Sequence, residues 1–405
     1  MKRYFYIFIA LTVLLSACTK AELCEDAEHP HRAGVRFAFD WANADDDKYA
    51  HQKPDSMLVL AKRIIGTWLT GCRVNSGCKN VADQGKGWYL LNGPSPQFDE
   101  DDNPIPIDGI DTPTDLFKVQ AGLFKCIAIN RDTTEFLYNE INEYAKGDLI
   151  GETTLRDLCV EYKRYNYRSP KLRNVIPGWT DYNIYGDAEN YLQPDMAPVY
   201  YDSIAPVTIS RGVEHLFTFK PILLTQNIDI RFHIQKKVDV APFLIETVYA
   251  EISGIPYRLN LSTDRFDIRN TAKMMFTCNL CNENGQTISD TETNEYLLCH
   301  GNIDVLSLIN APNTHTLRGP GIMQLMIRIK GRKTIRVKVN LRNAILEANL
   351  YEATEDGEWA RRRKEHGVLD IKTNLVIDEE AVLPSDDGGM EVWTQAGLDD
   401  IVVDT

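Results

Sequence analysis

Apolar and polar residues alternate in many short stretches of this 405-residue chain. Between residues 35 and 41 every second position holds a large apolar side chain, which predicts a strand with one face on a core. Similar stretches predict strands over 57–60, 118–129 and 198–209. Because loops rich in Pro, Asp and Gly separate them, the first half is predicted to be a set of short strands.

The alternation resumes at about residue 207. It predicts strands over 215–222, 228–235 and 245–255, each bounded by Pro, Gly or Asn. A further strand is predicted over 368–377, before an acidic end to the chain.

The clearest hairpin joins residues 322–329 to residues 334–341. Both stretches alternate, and Gly331 between them can supply the positive φ that a tight turn needs. A slip of one residue would turn the apolar face to solvent, so the pattern specifies the register.

Helical signals are few. Asp132 and Glu135 have capping-box spacing, and apolar residues then follow at helical spacing until Gly147, which predicts one amphipathic helix on the sheet. Residues 153–165 are a second helix candidate, although their aromatic content leaves a strand open. Evenly spaced short strands with few helices predict an all-β protein built from two β-sandwiches in tandem.

The N-terminus carries an export signal. Lys2 and Arg3 precede an apolar run over 4–15, whose length of about 12 residues is well below the roughly 20 that cross a bilayer. The small residues Ser16 and Ala17 then lead to Cys18, a pattern typical of bacterial lipoproteins. Cys18 is therefore predicted to become the lipidated mature N-terminus, with palmitate-type chains anchoring it at about 0.8 kcal/mol per buried methylene. The alternative is an ordinary cleaved signal with a chance cysteine.

These features predict a division of the chain. Residues 1–17 are the signal peptide, 18–33 a lipidated tether, 34–205 and 206–383 the two sandwiches, and 384–405 an acidic C-terminal segment. The net charge of −14, which becomes −16 once Lys2 and Arg3 are removed, argues against nucleic acid as a partner.

Eight of the nine cysteines lie beyond the predicted lipidation site. The closest plausible disulfide joins Cys72 to Cys78. Cys278 and Cys281, with Cys299 downstream, superficially resemble a zinc knuckle, but no second paired ligand motif accompanies them. A disulfide or buried thiols explain them more simply, and we predict no metal site and no cofactor.

Several polar clusters admit a functional and a structural interpretation, and the structural one is favoured for each. His29 and His31 could bind a metal or simply stiffen the tether. The acidic stretches 45–47 and 99–102 could bind calcium, yet they lack alternating ligand spacing. The basic run 361–364 is predicted to be a solvated loop, with a proteolytic site or a patch for an acidic partner as alternatives.

The aromatic residues Trp179, Tyr182 and Tyr185 could stack on sugars or dock a partner, although core packing is the default for such side chains. The chain has no nucleophile elbow, phosphate loop, dinucleotide fingerprint or zinc-protease motif. We therefore predict no enzymatic activity and no catalytic residues, while a glycan hydrolase with carboxylates from distant strands stays formally open.

Several stretches together resemble the fimbrial anchor and tip lipoproteins of Bacteroidales, of the minor-fimbrillin type, and especially a gut branch without assigned function. The resemblance covers most of the mature chain and rests on Leu23-Cys24, His29-Pro30-His31, 35–41, 118–133, 252–256, Gly388-Gly389 and Trp393. It implies two transthyretin-like Greek-key sandwiches. The chain departs from polymerising fimbrillins in having no evident protease-released N-terminal strand.

The resemblance and the signal together imply a lipid-anchored protein at the outer membrane, exposed on the cell surface. Its expected role is a fimbrial anchor or tip subunit, or an adhesin, that pairs an edge strand with a fimbrial or adhesin subunit. The alternative is a surface lipoprotein that binds a glycan in nutrient capture; a host molecule is a further possible class of ligand.

Overall fold

The computed structural model describes residues 32–44, 53–54, 56–64, 69–75, 88–90, 117–130, 136–137, 159–173, 190–194, 196–237, 242–282, 284–331, 334–377, 382–383 and 400–404. Most of these residues lie in β-strands, which confirms the all-β class. Three short helical segments interrupt them: a 3-10 helix at Trp41–Ala44, α1 at Pro170–Arg173 and α2 at Arg342–Ala348.

The first half of the chain supplies twelve of the described strands. They are β1 (Arg32–Phe39), β2 (Ser56–Arg63), β3 (Leu69–Asn75), β4 (Trp88–Leu90), β5 (Phe117–Gln120), β6 (Gly122–Asn130), β7 (Phe136–Leu137), β8 (Cys159–Tyr162), β9 (Tyr191–Leu192), β10 (Tyr200–Ile209), β11 (Glu214–Phe219) and β12 (Ile222–Leu223).

The second half supplies longer strands. They are β13 (Gln226–Lys236), β14 (Ile245–Pro256), β15 (Arg258–Asn260), β16 (Arg265–Asp267), β17 (Thr271–Cys281), β18 (Tyr296–Val305), β19 (Ile322–Ile329), β20 (Ile335–Asn340), β21 (Tyr351–Ala353), β22 (Trp359–Arg362), β23 (His366–Ile377), β24 (Val382–Leu383) and β25 (Asp400–Asp404).

Two sheets enclose a core in the first half. A six-stranded sheet has the order β12-β10-β6-β2-β3-β4, and a three-stranded sheet has the order β11-β1-β5. Val35 from β1 and Phe219 from β11 pack in one cluster with Val59, Phe124 and Tyr200 from the larger sheet. Because both sheets contribute to one buried layer, this part of the chain is a β-sandwich.

The second half is organised around a ten-stranded sheet. Its order is β24-β23-β13-β18-β17-β14-β19-β20-β25, and β9 pairs beside this path with β17. β17 pairs with β14 along most of its length but with β18 only at residues 279–281, so it joins two groups of strands. Ile230 and Phe232 from one group share a core with Ile252 and Leu325 from the other, and this is again a sandwich arrangement.

A smaller six-stranded sheet, of order β21-β22-β16-β15-β8-β7, combines strands from both halves of the chain. Residue 205, where the sequence places the domain boundary, lies within β10, and the next two strands pair with strands of the first half. The division into two tandem Greek-key domains stays a prediction.

The predicted strands at 57–60, 228–235, 245–255 and 368–377 are confirmed, each with slightly wider bounds. The hairpin is confirmed as β19 and β20, which pair from Ile322 with Asn340 to Ile327 with Ile335.

Other predictions needed correction. The predicted strand 118–129 is two strands, β5 and β6, and Trp41 lies in a 3-10 helix rather than at the end of β1. The helix predicted after Asp132 is wrong at Phe136 and Leu137, which form β7 because the Phe136 ring packs 4.6 Å from that of Tyr162 on β8. The remainder of that predicted helix lies outside the described residues.

Candidate functional site

The candidate site is the outer side of β20, which would be an edge of the ten-stranded sheet if β25 did not cover it. The chain's own last strand, β25, pairs with β20 in parallel, from Arg336 with Asp400 to Asn340 with Asp404. β24 lies at the opposite end of the strand order, and residues 384–399 separate it from β25. The chain therefore leaves the sheet at one edge and returns to it at the other.

The backbone of β20 offers an alternating set of groups to this outer side. The amide of Leu341 donates to the carbonyl oxygen of Gly321 at 2.9 Å, which makes this an inward-facing position toward β19. Inward and outward positions alternate in an antiparallel pair. The backbone groups of Arg336, Lys338 and Asn340 therefore point outward, where β25 pairs.

A row of polar side chains crosses the sheet from this edge. Lys338 on β20 is in register with Gln324 on β19, which is in register with Glu251 on β14. The hydroxyl of Tyr191 donates to Glu251 Oε2 at 2.7 Å, and Lys273 Nζ lies 3.3 Å from Glu251 Oε1. The outer face next to the edge thus carries charged and amide groups rather than an apolar stripe.

Most residues that the sequence singled out lie outside the described residues. These are Cys18, Cys24, His29, His31, Cys78, Trp179, Tyr182 and Tyr185, together with the acidic stretches 45–47 and 99–102. The lipidation of Cys18 accordingly stays a prediction. Among the described residues, no helix is long and apolar enough to cross a membrane.

The basic run 361–364 is exposed at three of its four residues, as predicted, but it is not simply a loop, because Arg361 and Arg362 lie in β22 and each of the four side chains has a partner. Arg361 pairs with Asp264 at 2.7 Å, and Arg362 donates to the carbonyl oxygen of Thr225 at 3.0 Å. Arg363 and Lys364 donate to the end of α2, at Asn349 Oδ1 and the carbonyl oxygen of Ala348. The run therefore ties β22 to three neighbouring segments.

The cysteines of the apparent zinc knuckle are free, buried thiols. Burial raises the pKa of Cys278 to about 12 and the pKa of Cys299 well above its ordinary value, so both pack as protonated apolar side chains. In the part of the chain that the structure describes, no three His, Cys, Asp or Glu side chains form a group that could hold a metal ion.

No protein-family model matches the chain, and no curated protein matches it at a significant level. Among solved structures, a candidate adhesin from Bacteroides ovatus is 10% identical, with 89% of this chain and 96% of that chain covered and a TM-score of 0.47. The fimbrial anchor protein of Porphyromonas gingivalis is 12% identical, with 85% and 90% covered and a TM-score of 0.40.

A candidate polysaccharide-binding protein from Bacteroides thetaiotaomicron is 14% identical, with 86% of this chain and 92% of that chain covered and a TM-score of 0.37. These three solved structures are thus a candidate adhesin, a fimbrial anchor and a candidate polysaccharide-binding protein, each at most 14% identical to this chain.

Proposed function

We propose that the protein is a cell-envelope lipoprotein that serves as a fimbrial anchor or tip subunit, or as an adhesin. It would be held at the outer membrane by acyl chains on Cys18, exposed on the cell surface, and paired through β20 with a strand of a fimbrial or adhesin subunit. The observation that carries this proposal is the parallel pairing of β25 with β20.

The position of β25 supports a mechanism in which a strand of the partner replaces β25 beside β20. An edge strand whose outward amides and carbonyls are unpaired is a template for another chain, and proteins normally cover such edges. Here β25 covers the edge. It has only five residues, and residues 384–399 separate it from the preceding strand, β24. A partner strand that takes the place of β25 would gain the same main-chain hydrogen bonds, which is the chemistry of strand addition.

The test compares the full chain with a variant truncated after Leu383, each used to capture proteins from native envelopes. Removing β25 frees the β20 edge, so the truncated protein should recover more of an identified fimbrial or adhesin subunit. Equal recovery by both proteins would mean that β25 does not compete with the partner.

A matched pair of substitutions locates the contact. Arg336→Pro in the truncated protein removes an outward amide without touching the β19 ladder, so it should abolish capture while the fold is kept. Arg336→Ala keeps the amide and should capture normally. Equal capture by the two variants would contradict pairing at this edge.

The lipid anchor has its own test. Metabolic labelling with palmitate should mark the wild-type protein and not Cys18→Ala, and protease treatment of intact cells should degrade the surface-exposed protein. Glycan capture, the alternative function, was predicted from aromatic residues outside the described part of the chain. It receives separate support from a cleft beside the β20 edge.

A further inference from the structure

A cleft of about 440 Å³ opens on the outer face of the ten-stranded sheet, close to the β20 edge. Side chains of β14, β17, β19 and β20 line it, and the loop 317–320 contributes a further part of its lining. Small-molecule sites typically have volumes of about 300–1,000 Å³. The cleft therefore has the size of a site for a small ligand.

The cleft is positively charged in a protein whose net charge is −14. Lys273, Arg318 and Lys338 line it against a single carboxylate, Glu251. Because Glu251 already accepts from Tyr191 and lies beside Lys273, its charge is partly balanced within the protein. The positive charge of Arg318 therefore favours an anionic ligand.

Two polar groups of the cleft are available to such a ligand. Arg318 is exposed, and within the described part of the chain its guanidinium has no hydrogen bond or ion pair. The side-chain amide of Gln324, which is partly buried, likewise has no partner among the described residues. A guanidinium can bind a carboxylate through two parallel hydrogen bonds, and an amide can both donate to and accept from hydroxyl groups.

The loop that carries Arg318 is held in place before any ligand binds. Ser253 Oγ donates to the carbonyl oxygen of Gly319 at 2.6 Å, and Asn340 Nδ2 donates to that of Thr316 at 2.8 Å. Gly254 has a φ of +91°, and a Cβ there would lie 2.8 Å from the carbonyl oxygen of Ile309, so only glycine allows this close approach. Such preorganisation lowers the cost of binding.

We infer that this cleft binds a saccharide that carries a carboxylate, such as a short oligosaccharide with one hexuronate residue. The carboxylate would pair with Arg318, while neighbouring hydroxyls would bind the amide of Gln324 and donate to Glu251. A peptide with several carboxylates fits less well, because it would bring a second negative charge toward Glu251. The match of one anion and several hydroxyls to this set of groups selects the saccharide.

Calorimetric titration of the mature full chain tests the inference with three probes. These are a galactose trisaccharide in which one residue is galacturonate, the fully neutral galactose trisaccharide of the same linkage, and a peptide of residues 384–399 as an acidic, non-saccharide control. We expect binding of the uronate-containing sugar alone. Because a hydrogen bond to a charged group is worth about 1.5–3 kcal/mol, Arg318→Ala should weaken the affinity for this sugar at least about tenfold. Gln324→Ala should weaken the same affinity several-fold.

Arg211→Ala is the matched control, because Arg211 is an exposed arginine in the turn between β10 and β11. It should leave the affinity unchanged, and all three variants should unfold at the wild-type temperature. Four results would each overturn the inference. They are equal binding of the neutral sugar, binding of the peptide that is tighter than that of the uronate-containing sugar, no binding of the uronate-containing sugar, and binding of that sugar that Arg318→Ala leaves intact. Neither Arg318 nor Gln324 lies on β20, so failure here leaves strand pairing at that edge unaffected.

Discussion

Deletion of the C-terminal segment after Leu383 should expose the β20 edge while costing little stability. Three outward-facing residues of β20, each with one N–H and one C=O, allow about six hydrogen bonds to β25. At about 0.5–1.5 kcal/mol each, these bonds contribute about 3–9 kcal/mol. Ordering the five residues of β25 costs about 1–2 kcal/mol per residue, or about 5–10 kcal/mol.

The two contributions nearly cancel, so the free energy of unfolding should fall by no more than about 4 kcal/mol, which is the upper bound for the bonds minus the lower bound for ordering. Urea denaturation of the two proteins measures this change, and hydrogen exchange measures the exposure of the edge. In the truncated protein, the amides of Arg336, Lys338 and Asn340 should exchange much faster than those of their inward-facing neighbours.

A pair of single substitutions separates pairing from the mere presence of the tail. The parallel register places Lys338 beside Val402, so its outward groups bind the carbonyl of Ile401 and the amide of Val403. Val403→Pro should therefore expose the edge amides, while Val402→Pro should keep them protected. A loss above about 5 kcal/mol on truncation would refute the reasoning, because it would make β25 an integral strand.

Three further predictions concern the scaffold around the site. Lys236→Met should cost about 3–5 kcal/mol in urea unfolding, because it removes the ammonium group that lies 2.7 Å from Asp290, a carboxylate whose side chain is only 1% exposed. The double variant with Asp290→Asn should lose less than the sum of the single changes. Gly254→Ala should destabilise by about 2 kcal/mol or more, measured in the same way, because its φ of +91° and its close contacts exclude a Cβ. Although partial burial opposes it, hydrogen bonding led by Asn302 lowers the pKa of Asp229, so this carboxylate stabilises the fold above its unfolded pKa of about 3.9. The stability difference between wild type and Asp229→Asn should therefore shrink as the pH falls below about 4, and a difference that does not vary with pH would contradict this assignment.

Local alternation predicted the strands well, because one buried face imposes a period of two on the sequence. β13, β14 and the β19–β20 hairpin were all visible in this way, with Gly331 at the turn at a φ of +70°. The prediction of a helix around Phe136 was wrong because a capping-box pattern is a local signal. The position of Phe136 is instead set by its contact with Tyr162 on β8.

The candidate site could not be predicted because it depends on pairing between distant segments. Nothing in the acidic C-terminal sequence indicates that residues 400–404 align with β20. The cleft likewise draws Glu251, Lys273, Arg318 and Gln324 from separate elements, so no spacing along the chain marks it. The partners of the basic run 361–364 could not be predicted for the same reason, because they come from other parts of the chain.

The most direct test of the central proposal is a hydrogen-exchange comparison of the full chain alone and with a captured fimbrial or adhesin subunit. If a partner strand replaces β25, the amides of β25 should lose protection on binding while Arg336, Lys338 and Asn340 on β20 stay protected. If β25 stays protected and the partner protects another surface, strand pairing at this edge is wrong.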